Sequence, residues 1–99
     1  MEWHYLTVEA FARGVGAKPA HIQRAIDNRE RMEVGAYTGY YTLYAVRDEN
    51  GQWRIPIALL EDGSALVFTT RTNYERYRET NDECYGYPLS ARTVLRILG

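Results

Sequence analysis

Cysteine is almost missing from this chain: Cys84 is the only one in 99 residues, which excludes an intramolecular disulfide and a thiolate metal site within one chain. No apolar run approaches the roughly 18 residues that would mark a membrane span, and the opening Met-Glu-Trp-His-Tyr lacks the basic and apolar regions of a signal peptide. The expected location is therefore the cytoplasm, with no membrane partner. A basic excess is missing as well. Twelve Lys and Arg stand against thirteen Asp and Glu for a net charge of -1, so any contact with nucleic acid must be local rather than a matter of bulk electrostatics. Lysine is represented by Lys18 alone. No Ser/His/Asp set, phosphate loop or HExxH pattern occurs, so the expectation is a protein that is not an enzyme and needs no cofactor. His4 and His21 have no second set of ligands nearby, and no metal site is expected.

What is present suffices for one folded domain spanning residues 1–99, because hydrophobic residues make up 45% of the chain and no repeats, low-complexity tracts or linkers interrupt it. Thr7 is a candidate N-cap for a short helix whose Val8, Phe11 and Ala12 recur at helical spacing. Gly14 to Lys18 breaks that helix, and Pro19 suits the first turn of a second one running to about Arg29, with Ile22, Ala25 and Ile26 as its buried stripe. From about Tyr37 to Arg47 the texture of Tyr, Thr and Val predicts a strand. Asp48-Glu49-Asn50-Gly51 then reads as a hairpin turn, Gln52 to Leu60 as the returning strand, and Ala65 to Thr70 as a third after the turn Glu61 to Ser64. Pro56 within the second of these strands implies an edge or a bulge. Residues 71–87 are polar and are compatible with a short helix or an ordered loop. Ser90 is placed to cap a last helix, Ala91 to Leu98, held by Val94, Leu95 and Ile97.

Ala12, Gly16, Ile22 and Ala25 fall at the intervals a helix-turn-helix requires: a small residue at the crossing, a glycine in the turn, and aliphatic positions that pin the second helix. The run from Tyr5 to Ile26 resembles the helix-turn-helix of excisionase-like proteins in the MerR superfamily. Gly51-Gln52-Trp53-Arg54-Ile55-Pro56 looks like the wing strand of the same family, although some twenty residues separate it from the second helix and the tip carries the phosphate-repelling Asp48 and Glu49. The resemblance implies a winged-helix-like arrangement, and with the residue pattern the expected fold is α+β: a helix-turn-helix at about 5–29, a three-stranded antiparallel meander at about 37–70 and a C-terminal helix at about 90–98.

It further implies recognition of double-stranded DNA by the second helix, as a transcriptional regulator or excisionase-type factor. Lys18, Ala20, Gln23 and Arg24 would project from that helix, and Arg24 and Gln23 are the side chains able to pair bidentately with guanine and adenine. Arg29 and Arg31, just past the expected helix end, would hold phosphates with Asn28 as a neutral donor, and Gln52 and Arg54 would serve on the wing. Nine tyrosines support a different reading. In it a phage or mobile-element protein uses the helix-turn-helix as scaffold and inhibits a host protein through Tyr40 and Tyr44. A third reading makes the chain a subunit of a larger assembly that pairs through the exposed edge of the meander, and a homodimer is among the expected partners.

Overall fold

Trp3 and Tyr5 alternate with His4 and Leu6, and this alternation builds a strand, β1 (Glu2–Leu6), where the sequence pattern predicted none. The computed structural model describes residues 2–36 and 41–99. Thr7 leaves β1 and caps the first helix, α1 (Val8–Val15), its hydroxyl accepting from the Ala10 amide at 3.0 Å. Gly16 ends that helix at φ 76°, a left-handed conformation that costs glycine nothing, and Pro19 opens α2 (Pro19–Glu33). The second helix runs one turn beyond the expected end at Arg29.

Among the described residues of the expected Tyr37–Arg47 strand, only Val46–Arg47 pairs, as β2. Tyr37 and Tyr40 lie outside the described residues, and 41–45 is extended without belonging to the sheet. It is nonetheless fixed on both sides. The Leu43 amide donates to the Ala25 carbonyl of α2 at 3.1 Å, and the Tyr44 amide donates to the Phe68 carbonyl at 2.8 Å. Its side chains still alternate, Leu43 and Ala45 entering one core and Tyr44 the other, so the period-2 pattern was sound while the ladder was not.

The remaining strands are β3 (Trp53–Leu59), β4 (Ala65–Val67) and β5 (Tyr87–Leu89), all antiparallel, in the order β1-β3-β4-β5 with β2 also on β3. A three-stranded meander is thus corrected to a five-stranded sheet with β3 at its centre. Pro56 sits in that central strand, opposite Tyr5 of β1, and not at an edge. Alternate residues of β3 turn their backbone polar groups to one flank, where Gln52 accepts from Asp48 and Leu60 donates to Ser64. On this flank β2 pairs with Trp53–Arg54 and β4 with Ala58–Leu59, leaving Pro56 at the gap between them. Register would bring Phe68 opposite Pro56, which has no N–H to give. The Phe68 carbonyl takes the Tyr44 amide instead.

One sheet face, with Leu6, Ile55, Ile57, Ala65 and Val67, is covered by Phe11 and Ala12 of α1, Ile22 and Ile26 of α2, and Val94 and Ile97 of the last helix, α4 (Ala91–Leu98). The opposite face carries Ala58, Leu66 and Phe68, and is covered by Tyr74 and Tyr77 of α3 (Arg71–Thr80). The undecided stretch 71–87 therefore holds a full helix, a 3-10 turn (Glu83–Tyr85) and the start of β5. Leu95, expected among the contacts of the last helix, points outward, while Val94 and Ile97 are buried as expected. The result is a mixed α+β fold of three layers, α1/α2/α4 on the sheet on α3.

Candidate nucleic-acid interface

The four positions that suggested a helix-turn-helix all lie at or beside the junction of α1 and α2. Ala12 is fully buried where α1 meets α2, Gly16 takes positive φ in the turn, Ile22 is buried, and Ala25 packs against the same core. The Gly16 and Ala17 amides both donate to the Ala12 carbonyl, which fixes the turn. Lys18 is the N-cap residue of α2 by backbone, yet its side chain makes no capping bond and is exposed.

Along α2 the outward ridge comprises Ala20, Arg24, Asp27 and Arg31, all exposed. Arg31 lies in the last turn of the helix, not beyond it. Lys18, Arg24 and Arg31 have no carboxylate partner among the described residues. Gln23 is half-buried and its amide is held by the Asp27 carboxylate at 3.0 Å. Gln23 and Arg24, being about 100° apart around the helix, open on different clefts. Gln23 shares a cleft of about 200 Å³ with Thr7, Glu9, Gln52, Trp53 and Arg54. Arg24 shares one of about 250 Å³ with His21, Asn28 and Tyr41, whose side chain is 92% exposed.

Asn28 and Arg29 are not where a phosphate could reach them. Asn28 is 4% exposed and donates to the Tyr41 carbonyl at 3.2 Å. Arg29 is 6% exposed, donating to the Ala45 carbonyl at 3.2 Å and to the Glu33 carboxylate at 2.9 Å. The reason is the continuation of α2 past Arg29, which turns both side chains under segment 41–45. Tyr44, expected as a protein-contact residue, is buried too, with its ring 4.8 Å from that of Tyr74. Burial also raises its phenol pKa, against the lowering effect of Arg71 and Arg29. Tyr40, its expected companion, lies outside the described residues.

At the β2–β3 hairpin the turn is organised by Asp48. One carboxylate oxygen accepts from the Asn50 and Gln52 amides at 2.9 Å each, and the other from Arg54 Nε at 3.0 Å. The Gln52 amide first and then the Arg54 guanidinium hold its pKa below the usual carboxylate value. The repulsive charge expected of Asp48 is thus matched by Arg54, which in turn is tied down rather than projecting, while Gln52 is exposed at the tip. The exposed cation of this hairpin was not singled out from sequence. Arg47 stands opposite Trp53 in the hairpin register, its guanidinium carbon 3.9 Å from the indole centroid and Nη1 bound to the Gly51 carbonyl. Counting back from Asn50-Gly51 would have found it.

Compared with family models, with curated proteins and with solved structures, the chain matches none.

The arrangement offers polar and cationic groups on one ridge and one hairpin. No group of three His, Cys, Asp or Glu able to hold a metal occurs among the described residues, and none of their helices is long and apolar enough to cross a membrane. On α3 the exposed Arg71 is paired with Glu75 and the exposed Arg78 bonds the Tyr74 hydroxyl and lies over its ring, while Arg76 has no ion-pair partner among the described residues. Cys84 is exposed, and the neighbouring Asp82 carboxylate raises its thiol pKa, the direction opposite to that of a reactive nucleophile.

Proposed function

We propose that this chain recognises double-stranded DNA through α2, as a small regulator or excisionase-type factor with a winged-helix-like arrangement in which the β2–β3 hairpin is the wing. The observation that carries this reading is the shared cleft that sets Gln23 of α2 beside Gln52 and Arg54 of the hairpin. Two segments far apart in sequence, each resembling a DNA-contacting part of one family, meet at one surface. Lys18, Arg24 and Arg31 on α2 and Arg47 on the hairpin supply the phosphate and base contacts. The rival reading, an inhibitor of a host protein anchored on Tyr40 and Tyr44, loses Tyr44 to the core.

Paired substitutions on the outward ridge test the proposal. Arg24→Ala should weaken duplex binding by about 1 to 3 kcal/mol. Asp27→Asn removes a like charge and loosens its hold on Gln23, and should strengthen binding about threefold. Fluorescence anisotropy with duplex DNA reads both, and a folded pair with unchanged affinities would remove α2 from the interface.

A further inference from the structure

A guanidinium is costly to bury, and an aliphatic side chain of similar volume would fill the same space without that cost. Arg29 is buried all the same, and its Nε has no hydrogen-bond partner among the described residues. What the side chain touches explains its presence. Nη2 donates to the carbonyl of Ala45, the residue immediately before β2. The guanidinium carbon also lies 5.9 Å from the ring centroid of Trp53, the first residue of β3, and 5.1 Å from that of Tyr44. Nη1 is anchored to Glu33, one turn further along α2. One side chain of the proposed recognition helix thus reaches both arms of the hairpin, the root of β2 at Ala45 and the turn end of β3 at Trp53, and the Trp53 ring it approaches is the one that carries Arg47.

We infer that Arg29 is the positioning residue that sets the β2–β3 hairpin at a fixed place relative to α2, acting on any ligand only through Trp53 and Arg47. Its planar fork matters as well as its charge: Glu33 and Ala45 are bonded through two separate nitrogens, Nη1 and Nη2, a span that the single nitrogen of an ammonium does not reproduce. Asn28, holding the Tyr41 carbonyl, fixes the start of the same connection. The consequence for binding rests on the nucleic-acid reading above, whereas the placement itself does not.

Native-state hydrogen exchange on the full chain, read by NMR, tests the placement in Arg29→Met and Arg29→Lys. Both variants should exchange about tenfold faster at the hairpin amides of Val46, Asp48 and Arg54, while the Leu6 and Ile57 amides of the β1–β3 ladder change by less than about twofold. A uniform acceleration across the sheet, or none, would overturn the inference and leave Arg29 an ordinary core residue. Should Arg29→Met fail to fold, Arg29→Lys, with the charge and most of the stem retained, carries the same comparison. The functional arm is a double-mutant cycle in duplex binding at low salt. Arg47→Ala should weaken binding about fivefold in the native background and less than about twofold beside Arg29→Met. Equal effects in the two backgrounds would contradict the coupling. Absence of any duplex binding by the native chain would retire the nucleic-acid reading, and the exchange result would still decide the positioning role.

Discussion

Gly14 offers the sharpest test of how the α1–α2 pair is supported. It lies inside α1 with helical backbone, so replacing it by alanine should, by helix propensity alone, stabilise the protein by about 1 kcal/mol. The packing says otherwise. A Cβ at Gly14 would stand 2.0 Å from Cγ1 of Ile97, which is buried in α4, and the Arg96 guanidinium of the same helix also holds the Gly14 carbonyl at 3.1 Å. Ordinary carbon contacts are about 3.5 Å or more, so roughly 1.5 Å of movement by α4 is needed. Overpacking of this kind costs about 1 to 3 kcal/mol, and the upper part of that range outweighs the propensity gain, for a net loss of about 1 to 2 kcal/mol. In a domain of this size Tm should fall by about 4 to 16 °C in a circular-dichroism melt. The cause is isolated by a cycle with Ile97→Ala, which alone should cost about 2 to 4 kcal/mol but should remove the clash, giving a favourable coupling of at least about 1 kcal/mol in the double variant. A Gly14→Ala protein that melts at or above the native temperature, or a strictly additive double variant, would refute the close approach of α1 and α4.

Gly16 should fail for a different reason: nothing lies within 4 Å of a Cβ there, but its φ of 76° strains any β-branched residue, so Gly16→Val should lose about 1 to 2 kcal/mol while Gly16→Asn loses less, as measured by chemical denaturation. At the hairpin, a carboxylate whose folded pKa lies below its unfolded value contributes stability that is complete above about pH 4 and disappears as pH falls through the folded pKa. The Asn50 and Gln52 amide resonances should therefore titrate with a midpoint below that of a free aspartate. A midpoint at or above the free value would mean that the Asp48 turn is not formed.

Elements whose signals are local were legible in the sequence. Thr7, Gly16 and Pro19 bounded the helix pair, Asn50-Gly51 marked the hairpin, and Ser90 capped α4, its hydroxyl accepting from the Thr93 amide at 3.2 Å. Elements that depend on distant partners were not. β1 is a strand because β3, some fifty residues later, accepts it from Glu2↔Leu59 to Leu6↔Ile55. α3 hides its apolar face in Tyr74 and Tyr77, which a hydropathy pattern reads as polar, although they pack against Phe68 and Trp3. Burial there, with a hydrogen bond to Tyr5, pushes the Tyr74 phenol up to about 12. In the candidate interface, Lys18, Ala20, Arg24, Arg31 and Gln52 are exposed as the sequence suggested. Arg29 misled because arginine is seldom fully buried, and only the path of segment 41–45 over α2 reveals what it holds.

Salt dependence of duplex binding tests the central proposal most directly. With Arg29 in the core and Arg54 paired to Asp48, the cations left on the ridge and hairpin are Lys18, Arg24, Arg31 and Arg47. Neutralising about four phosphates gives a slope of log K against log salt of roughly -3 to -4 per protomer. Anisotropy titrations of the native chain in a doubling series of salt from about 50 to about 200 mM should return that slope, made shallower by about 1 in Arg47→Ala. Binding that is absent at the lowest salt, or whose slope stays near zero and is unmoved by Arg47→Ala, would contradict the account.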